Sequence, residues 1–400
     1  MSVWDALVGQ DDAVAVLRGA ALAAAELTHD RPVTPGAMTH AWLFIGPPGS
    51  GRSVAARAFA AALECERDAD PDSDIGCGQC SACRTVRAGS HPDVRAVVPE
   101  GLSISVDEMR AVVAAAARRP ALGRWQIVVI EDADRLTERA SNALLKAVEE
   151  PAPRTVFLLC APSSHPDDVS VTIRSRCRLV ALRTPPTEAV AAVLQRDGLD
   201  GATADWAAAA GQGHIGRSRR LARDADARGR RAEVLAIPAS LTSLRACLAA
   251  ADHLVGAAEA EAAAMSEELD SDETEALQTA LGAGGTGKGT ATLARGTAGA
   301  IKELERRQKS RATRTQRDAL DRALVDLAAF YRDVLLVQAR CDVAPAHPDF
   351  GEDVRAVALR LGSAGVLRRL DAVLACRDAL ELNVKPRIAV EAMTAALRLP

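Results

Sequence analysis

The feature that most constrains the fold is a glycine-rich loop near the N-terminus. Residues 46–53 read Gly-Pro-Pro-Gly-Ser-Gly-Arg-Ser, and they lie between an apolar run at 41–45 and an alanine-rich helical pattern at 53–63. A strand, such a loop and a helix form the context of a phosphate-binding loop, in which glycines let backbone N–H groups face an anion. The pattern predicts a nucleotide-binding α/β fold. A glycine turn without a ligand is the alternative.

This loop departs from the usual motif where Arg52 replaces the lysine that touches the outer phosphates. A guanidinium is larger, planar and forked, so the exchange is not conservative. Ser53 stands where the Mg²⁺ ligand belongs. ATP and Mg²⁺ binding at this site is therefore predicted to be weak or absent. The loop residues that would contact a nucleotide are Gly46, Gly49, Gly51, Arg52 and Ser53.

Short β-rich runs alternate with helical stretches over residues 1–183. The predicted strands cover residues 42–45, 94–98, 126–130, 155–160 and 178–182. This alternation predicts a parallel sheet covered by helices. Residues 184–228 are predicted to form a small helical lid. Residues 229–400 are predicted to form an all-helical unit that contains a flexible Gly-, Thr- and Ala-rich linker at 281–299.

Composition limits the classes of protein to which the chain can belong. It has 49 basic and 53 acidic residues, a net charge of −4, so no global basic field indicates nucleic-acid binding. An aromatic content of 2% favours many small-residue helices over a β-sandwich. The N-terminus shows no signal-peptide pattern, and no long apolar run occurs, which predicts a cytoplasmic protein with no membrane partner.

Four cysteines cluster after the first helical pattern. Cys65, Cys77, Cys80 and Cys83 have the spacing C-x11-C-x2-C-x2-C. Two overlapping Cys-x2-Cys steps turn thiolates toward one centre, and the fourth completes a tetrahedron suited to Zn²⁺. Four thiolates leave no open coordination position, so the module at 65–83 is predicted to be structural. Free thiols or a redox pair are the alternatives.

A pair of acidic residues follows the strand predicted at 126–130. Glu131 and Asp132 lie where a nucleotide hydrolase holds Mg²⁺ and polarises water. The usual order is Asp then Glu, and the exchange changes the reach of each carboxylate. A water held for in-line attack is therefore predicted to be misplaced. Alternatively, these acids only end a strand and cap the next helix.

Three further segments allow more than one interpretation. Arg176 precedes the last strand, where an arginine can reach a neighbouring subunit's nucleotide as a finger, yet spacing alone fits a surface ion pair equally well. The basic segment at 301–317 is either a solvated helix face or a contact for DNA or a partner. Residues 282–289 echo a phosphate loop only superficially, because Gly289 replaces the Ser or Thr.

Together these motifs resemble bacterial DNA polymerase III clamp-loader subunits of the AAA+ class. The phosphate loop, the four-cysteine insert, the 142–151 segment Asn-Ala-Leu-Leu-Lys-Ala-Val-Glu-Glu-Pro, and Ser-Arg-Cys at 175–177 occur in that family's order. Residues 382–387 are similar to the end of its collar domain. The resemblance implies an AAA+ domain with a zinc insert at 1–183, a lid at 184–228 and an oligomerising collar at 229–400.

The departures point to one branch of that family. Ala161 and Gly216 stand where two polar sensors are expected, although Arg217 lies beside the second. These losses, with Arg176 retained, resemble the delta-prime branch. They imply a stator, neither a polymerase nor an efficient ATPase, that offers Arg176 in trans.

The same resemblance implies partners. They are gamma or tau and delta subunits in a hetero-pentamer that loads a sliding clamp onto primed DNA at the replisome. A gamma- or tau-type ATPase is the first rival interpretation. A zinc-bearing AAA+ regulator unrelated to replication is the second.

Overall fold

The structure is a computed structural model that describes residues 2–67, 75–280 and 297–398. Within these limits the chain forms two compact units. The first comprises residues 2–99, 103–208 and 213–218, and the second comprises residues 100–102, 209–212 and 219–398. The domain limits given by the sequence, including those of the lid and collar, stay a prediction.

A five-stranded parallel sheet forms the middle of the first unit. Its strands are β1 Ala41–Ile45, β2 Val94–Val97, β3 Gln126–Ile130, β4 Thr155–Ala161 and β5 Arg178–Ala181. They are arranged in the order β2-β3-β4-β1-β5, and each neighbouring pair is parallel. The predicted parallel sheet is confirmed, with every strand boundary within one residue of its expected place.

Largely apolar sequence explains why β3 and β4 are covered strands of this sheet. All residues of β3 and β4 are buried. Strands of a parallel sheet are buried on both faces, so they read as unbroken apolar runs instead of alternating ones. On one face Trp42 packs edge-on against Phe59 of the following helix, with ring centroids 4.9 Å apart. The sheet is therefore fixed to the helix that follows the glycine-rich loop.

Helices and short 3-10 turns alternate with the strands along the chain, and helices continue after β5 as far as residue 223. The α-helices are α1 Asp11–Thr28, α2 Arg52–Leu63, α3 Ser81–Arg87, α4 Val106–Ala116, α5 Glu138–Glu149, α6 Val171–Arg174, α7 Thr187–Arg196, α8 Gly201–Gly211 and α9 Ile215–Arg223. The 3-10 turns are Val3–Ala6 and Ala133–Arg135. Side-chain caps begin several helices: Ser105 accepts a hydrogen bond from the Glu108 N–H, and Thr137 accepts one from the Ala140 N–H. Such caps satisfy donors that a helix N-terminus leaves without a partner.

Two buried carboxylates hold the loop that leads into β3. Asp93 accepts hydrogen bonds from the backbone N–H groups of residues 121, 122 and 123, at 2.6–2.8 Å. Glu64 accepts from those of Arg124 and Trp125 at 2.7 and 3.0 Å. Burial raises the pKa of Glu64 to about 7, against the effect of these two bonds. The start of β3 is thus fixed by two side chains, one directly after α2 and one directly before β2.

The second unit is helical. Its elements are α10 Ala225–Ser240, α11 Leu244–Ala280, α12 Thr297–Gln338, the 3-10 turn Pro348–Phe350, α13 Gly351–Arg360, α14 Ser363–Glu381 and α15 Pro386–Arg398. Buried apolar side chains from α10 to α15 form one core, which includes Leu327, Phe330 and Val390. The buried Arg231 on α10 forms an ion pair with Asp349 at 2.7 Å, and His347 lies 2.8 Å from the same guanidinium.

The basic segment predicted at 301–317 lies in α12 and makes contacts within the chain. Arg311 pairs with Asp270 and Glu273 of α11 at 2.5 and 2.6 Å. Arg317 donates hydrogen bonds to the Leu380 carbonyl and to Asn383 at 2.9 and 2.8 Å. Several of its cations therefore face acidic or carbonyl oxygens of neighbouring helices. Contact of this segment with DNA stays a prediction.

Two other sequence features concern the same region. Most of the predicted linker, at 281–296, and the loop-like segment at 282–289 lie outside the described residues, and α12 begins at Thr297.

Among the described residues, no helix combines the length and apolar character needed to cross a membrane.

We expect Asp93→Ala to destabilise the first unit by about 3 kcal/mol, because the mutation leaves three backbone N–H donors without their acceptor. Burial alone would raise the pKa of Asp93, but those bonds outweigh burial and lower it. The stabilisation is therefore full above the unfolded-state pKa of about 4 and is lost as the pH falls through the folded-state pKa. Thermal unfolding at several pH values measures this.

Asp167→Ala is the matched control, since the side chain of Asp167 is 90% exposed. Equal unfolding midpoints for the two variants would contradict the role of Asp93.

Candidate functional site

The glycine-rich loop lies at the carboxyl edge of the sheet, between β1 and α2. The Gly46 N–H donates to the Pro162 carbonyl at 3.2 Å, so the start of the loop is bonded to the chain that leaves β4. Gly49 has a φ of 87°, and a Cβ there would lie 2.7 Å from the Cβ of His214. A side chain at position 49 is therefore excluded by backbone conformation and by close packing. The strand, loop and helix context of the prediction is present.

Arg52 turns back onto this loop. Its Nη1 donates to the Gly46 carbonyl at 2.6 Å, at the opposite end of the loop. A lysine in a phosphate-binding loop directs its charge to the outer phosphates. Here the guanidinium instead closes the loop on itself with a short hydrogen bond. Ser53 lies in the first turn of α2, as predicted, and nucleotide occupancy of the loop stays a prediction.

The two predicted acids, Glu131 and Asp132, directly follow β3. Glu131 forms an ion pair with Arg57 of α2, and only 14% of the Glu131 side chain is exposed. Asp132 has a left-handed backbone, with a φ of 54°. The carboxylate expected to hold Mg²⁺ is thus matched by a cation from the chain itself. The spacing of Arg57 in α2 gave no signal of this pairing.

A third acid belongs to the same edge but was not among the predicted site residues. Burial, together with the negative charge of Asp132, raises the pKa of Asp134 to about 6. Its Oδ1 is buried and has no hydrogen-bond partner in the part of the chain that the structure describes. The only sequence signal was a third carboxylate after β3.

The predicted sensor positions carry no polar side chain at this edge. Ala161 is fully buried at the end of β4, where it pairs in register with Ile45 of β1. Gly216 lies in α9, and a Cβ there would lie 3.3 Å from the His214 ring. His214, rather than a residue at 216, contacts the loop. Sequence reasoning missed His214, although the glycine-marked turn around it was visible.

Two N-terminal residues, Trp4 and Gln10, make contacts within the chain. Gln10 is buried, and its side-chain amide donates to the carbonyls of Ser50 and Arg183 at 3.3 and 2.6 Å. It therefore ties the glycine-rich loop to the segment after β5. The Trp4 indole donates to the Ile75 carbonyl at 2.8 Å, beside the cysteine module.

The four predicted cysteines converge. The sulfurs of Cys65, Cys77, Cys80 and Cys83 all lie within 4.8 Å of one another. Sulfurs that surround Zn²⁺ at about 2.3 Å in a tetrahedron are separated by about 3.8 Å, so a small contraction brings the set to ligand geometry. Backbone N–H groups of residues 79 and 80 donate to the Cys77 sulfur at 3.4 and 3.3 Å. The residues present fit a four-thiolate metal centre.

The pKa values of two cysteines in this cluster, Cys65 and Cys83, shift in opposite directions. A hydrogen bond from Cys83 lowers the pKa of Cys65 to about 4. The same bond, together with burial, raises the pKa of Cys83. The shared hydrogen bond therefore favours a thiolate on Cys65 over one on Cys83, and a cation bound among the sulfurs would favour deprotonation of the others. The centre can hold a metal such as zinc.

Arg176 lies between α6 and β5, in the connection that links β4 to β5. Its Nη2 lies 2.6 Å from Oε1 of Glu149, the last residue of α5. Its Nη1 donates to the Thr172 carbonyl at 2.9 Å and to the Ser175 hydroxyl at 3.1 Å. The surface ion pair that the sequence allowed as the alternative to a finger is present, and 38% of the Arg176 side chain remains exposed.

Comparison with known proteins gives a partial family relationship. Residues 26–186 match the family model "DNA polymerase III, delta subunit". The chain is 40% identical to the Pseudomonas aeruginosa DNA polymerase III subunit delta' over 140 residues, 34% of this chain and 41% of that protein. It is 36% identical to the Escherichia coli subunit delta' over 160 residues, 40% of this chain and 46% of that protein.

A second kind of relative matches the same part of the chain. The Bacillus subtilis DNA polymerase III subunit tau is 32% identical over 152 residues, 38% of this chain and 26% of that protein. The matches therefore span less than half the length of these relatives. They support a relationship to delta' and to gamma or tau subunits, without a choice between them. A Thermotoga maritima gamma subunit-related structure aligns at 16% identity over 89% of this chain and 93% of that chain, with a TM-score of 0.36.

We expect the purified protein to contain about one equivalent of zinc and Cys80→Ser to lose it, because three thiolates cannot close the tetrahedral site. Metal content by mass spectrometry of the native protein measures this. Cys341→Ser is the control, since Cys341 is exposed and lies outside the cluster. Equal zinc in all three proteins would refute the site.

Proposed function

We propose that this chain is a clamp-loader subunit of the delta-prime type. In this role it acts as a stator, supplies Arg176 in trans to a neighbouring subunit's ATP and helps to load a sliding clamp onto primed DNA. The contacts of Arg176 carry the proposal: its guanidinium is held in place by three contacts and is still partly exposed. The relatives named delta' support the choice of family.

The chain's own nucleotide-facing edge supports a role without hydrolysis. Arg52 is bonded to the loop's own carbonyl, and Glu131 is paired with Arg57. Nucleotide hydrolysis needs a cation on the outer phosphates and a carboxylate that holds Mg²⁺. Both groups are engaged within the chain, so binding of Mg²⁺–ATP would first have to break these contacts.

Arg176 would act on the transition state of a neighbour. Negative charge spreads over the oxygens of the transferring phosphoryl group, and a guanidinium at that point stabilises it. Arginine suits this role because its planar fork can contact two oxygens at once. The neighbour would supply the nucleotide, the Mg²⁺ and the attacking water. This chain would contribute one positioned cation.

The proposed partners follow from the family relationship. They are gamma or tau and delta subunits, the sliding clamp, and primed DNA reached through the assembly. The four-cysteine centre would hold structural Zn²⁺. We place the assembly at the replisome in the cytoplasm.

A gamma- or tau-type ATPase is the second candidate. The similarity to the Bacillus subtilis tau subunit favours it, as does the intact glycine pattern before Ser53. Titration of the isolated chain with Mg²⁺–ATP separates the candidates. Tight binding and hydrolysis of ATP by the isolated chain would favour the ATPase and contradict the stator proposal.

We expect Arg176→Ala to lower the DNA-stimulated ATPase of the reconstituted clamp loader by about tenfold or more, because an arginine finger lowers the barrier to phosphoryl transfer. Arg52→Ala should leave that rate unchanged, since the Arg52 guanidinium is bonded to the Gly46 carbonyl of its own loop. Steady-state hydrolysis with primed DNA measures both.

Arg174→Ala is the matched control. Arg174 is an exposed arginine at the end of α6, two residues before Arg176, and it donates to the Ser164 carbonyl at 3.0 Å. Unchanged hydrolysis with Arg176→Ala would remove the finger role. A loss with Arg52→Ala as large as that with Arg176→Ala would favour the ATPase.

A further inference from the structure

We propose that Glu149 is the positioning residue of the Arg176 finger. In this proposal, which rests on the proposed function, the Glu149 carboxylate holds the guanidinium in its working orientation before a neighbouring subunit binds. The assignment names a residue of α5 that supports a group following α6. It concerns the orientation of the arginine that this chain would offer to another subunit.

The contacts of the guanidinium come from two different elements. Thr172 and Ser175, in and directly after α6, hold Nη1 at 2.9 and 3.1 Å. Local contacts of this kind fix one end of a planar group and leave it free to swing about that end. Glu149 of α5 holds Nη2 at 2.6 Å and so fixes the other end. The plane of the guanidinium is therefore defined only when the Glu149 contact is made.

The location of Glu149 is unfavourable for the helix that carries it. It is the last residue of α5, and a negative charge at a helix C-terminus opposes the helix dipole. Lys146 is the single basic residue in that last turn. The pair with Arg176 is also solvent-exposed, with 38% of each side chain accessible, and exposed ion pairs contribute little to stability. Fold stability therefore gives no reason for the pair, whereas finger orientation does.

Orientation matters because the reacting groups tolerate little displacement. A free arginine side chain samples many rotamers, and ordering it during the reaction would cost entropy. Donors already aimed at the developing charge need no reorganisation at that moment. Because part of the guanidinium is exposed, it can meet a phosphate while Glu149 and the Thr172 carbonyl keep it in place.

The test uses the reconstituted clamp loader with the full-length chain. Glu149→Ala should lower kcat of the DNA-stimulated ATPase about three- to tenfold and leave KM for ATP within about twofold, because orientation acts on the transition state. Glu149→Gln keeps an acceptor oxygen without the charge, so its rate should lie between those of Glu149→Ala and the parent. Glu150→Ala is the matched control, since Glu150 is the next residue and is also exposed.

A double mutant separates positioning from an unrelated structural role. If Glu149 acts only through Arg176, then Arg176→Ala with Glu149→Ala should be no slower than Arg176→Ala alone. Equal thermal midpoints of the single variants and the parent chain would exclude misfolding as the cause of the lower rate.

Each other outcome overturns a defined step. A loss with Arg176→Ala but none with Glu149→Ala overturns the positioning role and leaves the finger intact. No loss with either variant refutes the finger, and with it the proposed function. A faster rate with Glu149→Ala would mean that the carboxylate restrains the finger, contrary to the proposal. A double mutant slower than Arg176→Ala would place the action of Glu149 elsewhere.

Discussion

The pairing of β1 with both β4 and β5 is the constraint on which the site depends. Ile45 lies in register with Ala161 on one side and with Ala181 on the other, and the Leu182 N–H donates to the Ile45 carbonyl at 2.7 Å. Because the strands are parallel, their carboxyl ends meet at one edge. The glycine-rich loop and the exits of β4 and β5 are therefore brought together by the burial of apolar strands. The chemistry of that edge is then decided by the few polar residues that follow each strand.

At this edge the chain balances its own charges. In phosphoryl-transfer sites the loop cation and the strand carboxylates are held apart by phosphate and Mg²⁺. Here Arg52 contacts a carbonyl of its loop, and Arg57 contacts Glu131. His214 also packs directly against the backbone of Gly49. Contacts within the chain thus engage both cations of this edge, so the glycine-rich motif does not by itself imply nucleotide hydrolysis.

The sequence was sufficient for the features that depend on local pattern and insufficient for those that depend on distant pairs. Strands were predictable because a covered parallel sheet needs unbroken apolar runs, and the cysteine centre was predictable because ligand spacing is local. Arg57, His214 and Glu149 gave no such signal, since each acts on a residue far away in the chain. The basic segment of α12 was ambiguous for the same reason, because the acids that pair with Arg311 lie on another helix.

The two arginine–carboxylate pairs of the first unit differ in what would follow if they separated. Glu131 is 14% exposed, so removing Arg57 would leave a largely enclosed carboxylate without its cation, which is costly. Glu149 is 38% exposed, so water would solvate it readily if Arg176 were removed, and the equally exposed Arg176 guanidinium can meet a second anion while the pair is kept. Burial of the carboxylate, rather than the arginine itself, therefore decides how firmly each cation is committed to its partner in this chain.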